Sequence, residues 1–169
     1  GVNDENINKG LASLKTIPGR MEEISEGQLF RVFVDYAHEG ESMKRLLETA
    51  LRMKGEAARI IVLLGAEGGG RDKGKRPLMG EAAGKMADYV IVSNVDPYED
   101  DPGEIAEDIA KAAEAAGKVR ESNLFVIEDR AAGIRKALSL ANGGDLVLIT
   151  GKGAEQSITI GGKPAPWDD

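Results

Sequence analysis

Asp35, Tyr36 and His38, the last being the only histidine, close an apolar run in LFRVFVDYAH at 29–38. Asp35 is a short carboxylate able to accept hydrogen bonds from ribose hydroxyls, or else to cap the turn that follows it. Tyr36 and His38 carry rings that either flank a base or pack beneath the loop. No Cys, second His or carboxylate cluster stands near His38 at metal-ligand spacing, so neither a protein-built metal site nor an acid–base role is assigned to it. Two more apolar runs end in polar segments: IIVLLG leads into AEGGGRDKGKRP, and LVLITG into KGAEQS.

The first of these segments imitates a phosphate loop. Gly69, four residues and then Gly74-Lys75-Arg76 approach the P-loop spacing, but Arg76 stands where a Ser or Thr hydroxyl would hold Mg2+. A permanently cationic guanidinium cannot do that. The segment is then either a solvated basic turn or, as preferred here, an anion-binding loop. In the second case glycine N–H groups and the dipole of a helix begun at Pro77 would face a ligand. In GKGAE at 151–155 two glycines allow a backbone course that side chains would obstruct. Glu155 then projects a carboxylate able to bind an ammonium group, or lies in solvent beside Lys152. The acidic run Glu99-Asp100-Asp101 either favours a basic ligand side chain or is a solvated loop.

Alternating helical and strand periods must position these segments. Asp4 is a plausible N-cap for a helix through Leu14, with Ile7 and Leu11 on one face. Strands are predicted at 29–35, 59–65, 88–93, 123–128 and 145–150. Helices are predicted at 41–54, from Pro77 to Ala87, from about Pro102 to Ala116 with Gly117 as a left-handed cap, and at 129–141. Residues 157–160 with Gly161-Gly162 suggest a terminal hairpin or edge strand. This order predicts a Rossmann-like three-layer α/β domain, with a mostly parallel sheet of about six strands and helices on both faces. Open sheets of this kind bind ligands at the carboxyl ends of their strands, where all three polar loops fall.

Composition sets the outer bounds. The 169 residues fit one domain able to bury about 70 % of its unfolded surface. Hydrophobic residues at 41 % and charged residues at 30 % describe an ordinary globule. A net charge of −7 argues against a nucleic-acid partner, since no basic stripe can displace phosphate counterions. No cysteine is present, so disulfides and thiolate chemistry are excluded. No apolar run approaches the ~18 residues of a membrane span, and no membrane partner is expected. The chain opens on Gly1, as a piece excised from a longer protein would.

PGRME at 18–22, VDYAH at 34–38, GRDKGKRPLMG at 70–80, DP at 96–97 and again at 101–102, and GKGAE at 151–155 occur in that order. Together they resemble the C-terminal domain of the Mur ligases, most closely the type that adds the third residue of the peptidoglycan stem peptide. The resemblance covers nearly the whole chain. It implies a cytoplasmic ligase that activates a carboxylate of a UDP-N-acetylmuramoyl-peptide with ATP as an acyl phosphate, which an amino acid's amine then attacks. Arg20, Asp35, Tyr36 and His38 would surround the nucleotide. Arg71, Val95, Asp96, Pro97, Tyr98, Gly151 and Glu155 would bind the incoming amino acid, with Arg71 on a carboxylate. ATP phosphates and Mg2+ would be held mainly by a central domain that these residues do not include, and the UDP-sugar by an N-terminal one. Residues 1–16 would form the connecting helix, and no catalytic residue is expected within this domain.

The chain departs from the family pattern in two places. Ala154 stands where a His is usual. Val95-Asp96-Pro97-Tyr98 replaces the Asp-Asn-Pro-Arg of the diaminopimelate-adding branch, so Tyr98 cannot pair with a distal carboxylate as Arg does. Two other readings are a folylpolyglutamate- or cyanophycin-type ligase domain, disfavoured by the full set of motifs, and a non-catalytic nucleotide- or anion-binding module.

Overall fold

The computed structural model describes residues 1–169. The chain runs α1 (Asp4–Ser13), β1 (Glu22–Ile24), β2 (Arg31–Asp35), α2 (Gly40–Met53), β3 (Ile60–Leu64), α3 (Lys75–Met86) and β4 (Tyr89–Val92). It continues through α4 (Pro102–Ala115), β5 (Leu124–Val126), α5 (Arg130–Leu140), β6 (Leu146–Thr150), β7 (Ser157–Ile160) and β8 (Lys163–Pro166). Six strands form one sheet in the order β1-β2-β6-β3-β4-β5. Every pairing in it is parallel except β1 with β2.

β3 and β6 lie at the centre and are buried on both faces, as their unbroken apolar runs require. Alternation divides β3 between two cores. Ile60, Val62 and Leu64 join Met43 and Leu47 of α2, Met79 of α3 and Ile109 of α4. Ile61 and Leu63 face the other way, toward Ala137, Ile134 and Leu138 of α5. Three helices therefore cover one face and α5 the other. α3 and α4 approach closely at Gly80, where an added Cβ would lie 2.2 Å from the Ile109 carbonyl oxygen.

Of the two readings of residues 157–160, the terminal hairpin is the one formed, and the sheet takes its sixth strand from a stretch the sequence did not mark. β1 joins the sheet edge at 22–24, a Glu-Glu-Ile stretch without a strand-like pattern. Residues 157–160 pair with 163–166 across Gly161-Gly162 in a two-stranded hairpin separate from the main sheet. At the amino end Asn3, rather than Asp4, caps α1, accepting a hydrogen bond from the Asn6 N–H at 2.9 Å. α1 buries none of its residues. α3 begins at Lys75, so Pro77 is its third residue rather than its first. No helix is long and apolar enough to cross a membrane.

Candidate functional site

The carboxyl ends of β2, β3, β4 and β6 share one rim, and the loops leaving them meet there. A cavity of about 510 Å³ is lined by Tyr36, His38, Glu67, Arg71, Lys75, Asp96, Tyr98, Glu155 and Thr159, among others, within the usual size range for a small ligand. Beside it a shallower cavity of about 300 Å³ is lined by Pro18, Arg20, Tyr36, Ala154 and Glu155. Tyr36 and Glu155 thus form the wall between the two. The wall is bonded: the Tyr36 hydroxyl donates to Glu155 Oε1 at 3.0 Å. Burial, then the bond to Glu155 and its negative charge, push the Tyr36 phenol above its ordinary pKa, so it stays a donor.

On the smaller side the Arg20 guanidinium lies 4.4 Å from the centre of the Tyr36 ring, a cation–π placement. Asp35 shapes this side from below. Its Oδ2 accepts the Met21 N–H at 2.8 Å and its Oδ1 the Ala37 N–H at 2.9 Å. One carboxylate therefore fixes both the segment that carries Arg20 and the start of the Tyr36 loop. Gly19, at φ +65°, packs on the 151–155 loop so tightly that a Cβ would meet the Ala154 nitrogen at 2.1 Å. His38 lines the larger cavity, not the smaller one. Its Nδ1 lies 2.8 Å from the Tyr36 carbonyl oxygen, and its ring meets the Tyr36 ring edge-on at 4.6 Å.

In the larger cavity the two lining cations differ. Lys75 is 5 % exposed and is held by Glu67 at 2.5 Å and Glu39 at 3.1 Å. Burial alone would raise the Glu67 pKa, but the Lys75 ammonium bound to it outweighs that and holds the carboxyl below its usual range. Arg71 is exposed and has no carboxylate partner within ion-pair distance. The glycine loop is accordingly neither a P-loop nor a solvated basic turn throughout. Lys75 and Arg76 turn inward, Arg76 to Asp108 at 3.0 Å, while Asp72 accepts the Gly74 N–H at the start of α3. Arg71 is left as the cation facing the cavity.

The 95–98 segment divides in the same way. Val95 is buried beneath Gly65 and Gly151; Gly151 has φ +105°, and a Cβ there would lie 2.8 Å from Val95 Cγ2. Pro97 is buried too. Asp96 is bound to Lys152 at 2.6 Å and accepts the Thr159 N–H at 2.6 Å. Lys152, 1 % exposed, also reaches Glu155 at 2.7 Å. Tyr98, at φ +54°, lies over Gly69. Of the predicted amino-acid contacts, Arg71, Asp96, Tyr98 and Glu155 line the larger cavity, while Val95, Pro97 and Gly151 do not. The sequence singled out Lys152 only as a solvated residue, although a lysine between two left-handed glycines is a signal for a fixed backbone that could have marked it as buried. Ser157 and Thr159, brought to the cavity by β7, carry no local signal at all.

A family model described as "Mur ligase, glutamate ligase domain" matches residues 19–153. The chain is 42 % identical over 166 residues to the UDP-N-acetylmuramyl-tripeptide synthetase of Roseiflexus sp. (strain RS-1), covering 96 % of this chain and 32 % of that protein. It is 39 % identical over 170 residues to the UDP-N-acetylmuramoyl-L-alanyl-D-glutamate–2,6-diaminopimelate ligase of Solibacter usitatus, covering all of this chain and 33 % of that one. A solved structure of a ligase with that name superposes with a TM-score of 0.76 at 31 % identity, over 99 % of this chain and 33 % of the other. The chain spans about a third of the length of the relatives it matches.

Proposed function

The chain belongs to the Mur ligase family as its glutamate-ligase domain, and on that footing we propose that it is the C-terminal domain of an ATP-dependent ligase that adds an amino acid to a UDP-N-acetylmuramoyl-peptide. The observation that carries this reading is the pair of cavities divided by the bonded Tyr36–Glu155 wall. A ligase of this type must hold a nucleotide and an amine side by side, and two polar pockets sharing one wall suit that need.

On the smaller side Arg20 and Tyr36 offer a charged and aromatic surface for the nucleotide, with Asp35 fixing both and keeping lone pairs for ribose hydroxyls. On the larger side Arg71 offers a planar fork to a carboxylate and Glu155 an acceptor for the ammonium group. His38 sets its ring edge-on to Tyr36 on the amino-acid side of the wall and is given no proton-transfer role. ATP supplies the phosphoryl group that activates the acceptor carboxylate. Its phosphates and Mg2+ are assigned to a central domain outside this chain; within the chain no three His, Asp or Glu side chains gather as a cation site. The domain closes over that centre as a lid, excluding water from an activated carboxylate, with α1 and its exposed Ile7 and Leu11 as the connection. A cytoplasmic setting follows from the substrates.

The test is ADP release by the full-length protein. It should require the UDP-N-acetylmuramoyl-peptide and an amino acid together, and Glu155→Gln should raise the amino-acid KM by roughly tenfold through loss of a charge-assisted bond. Release of ADP that ignores the amino acid would overturn the proposal.

A further inference from the structure

Behind the site, on the face of the sheet covered by α5, one guanidinium joins three parts of the chain. Arg130, the first residue of α5, is 2 % exposed. Its Nη1 donates to the Asn94 carbonyl oxygen at 3.1 Å and its Nη2 to the Thr150 carbonyl oxygen at 2.8 Å. Its Nε and Nη2 also grip the two oxygens of Asp169 at 2.6 and 2.5 Å. The Asp169 side chain is itself fully buried and accepts the Trp167 indole N–H at 2.7 Å. The Trp167 backbone N–H donates to the Gln156 carbonyl oxygen at 3.1 Å, so the tail is tied to the residue after Glu155.

Asn94 and Thr150 are the last residues before the two loops that line the larger cavity, 95–98 and 151–155. Above the sheet the same two loops are joined by Lys152 and Asp96, and between them Val95 leaves no room for a side chain at Gly151. Two carbonyls held by one rigid fork have a fixed separation, which a flexible ammonium would not impose. We propose that the Arg130–Asp169 pair is a positioning device: it sets the distance between Tyr98 on one loop and Glu155 on the other, and so the fit of the amino acid, without touching it. This rests on the reading of the larger cavity as the amino-acid site.

The experiment uses the full-length ligase with Arg130→Lys and Asp169→Asn, each made alone and combined with Glu155→Gln. Arg130→Lys keeps the charge and loses the fork; Asp169→Asn keeps the shape and loses the charge. Each single variant should raise the amino-acid KM about tenfold while the ATP KM stays within about twofold. Combined with Glu155→Gln, either should add much less than its own factor, because it acts through the placement of Glu155. Equal rises in both KM values, unchanged KM values with a lower Tm, or full additivity would each overturn the positioning role and leave a structural brace. If Glu155→Gln alone leaves the amino-acid KM unchanged, the site assignment fails and the positioning role with it; if only the Arg130 and Asp169 variants are silent, the site assignment stands.

Discussion

At Tyr98 the chain departs from the pattern that a second carboxylate on the substrate would need. Of the two cations lining the larger cavity, Lys75 is already held by Glu39 and Glu67, and Arg71 alone has no partner. A diaminopimelate side chain would bring a second carboxylate with no second free cation, and an unpaired carboxylate in a confined site is costly. The parent ligase should therefore prefer a lysine-like or neutral amino acid, by roughly 1–3 kcal/mol if charge-assisted bonds dominate. Specificity constants for each candidate, measured on the native ligase and on Tyr98→Arg, would check this. Best use of diaminopimelate by the unaltered protein would remove Tyr98 as the discriminator. The motif residues were legible in sequence, but their division of labour was not. Lys152 read as a solvated charge, yet it is buried against Asp96, a long-range contact that no local pattern carries.

Most elements were legible because β3, β4 and β6 are continuous apolar runs and α2 has a clear stripe. β1 escaped because an edge strand of three residues needs only its pairing with β2. The roots of the elements are held by polar clamps that sequence could not reveal. Asp145, just before β6, accepts the Arg59 N–H at 2.8 Å and the Arg59 guanidinium at 2.6 Å, as well as the Asn142 N–H at 2.8 Å. Burial alone would raise its pKa, but these bonds, led by that from Arg59, hold its carboxyl below the usual value. With the folded pKa below the unfolded one, the clamp stabilises fully above the unfolded pKa, and that stability is lost as pH falls through the folded value. Asp145→Asn should cost about 2 kcal/mol at neutral pH and flatten part of the acid limb of a Tm-against-pH curve. An unchanged acid limb would assign that limb to other carboxylates, Glu67 first among them.

For the whole molecule, two cores around one sheet predict that the 169 residues fold by themselves, while the proposed division of the active site predicts that they turn nothing over. Circular dichroism should show one cooperative melt, and an ADP-release assay should read background. Ligase activity from this chain alone would contradict that division. If one wall separates a nucleotide side from an amino-acid side, the KM values of the full-length ligase for the two substrates should respond separately to changes on either side. Arg20→Ala should raise the ATP KM about tenfold and leave the amino-acid KM within about twofold, and Arg71→Ala should do the reverse, as expected for loss of a charged contact worth 1.5–3 kcal/mol, roughly 10-fold or more. If both variants move the same KM, or neither moves its own, the assignment of the two cavities is contradicted.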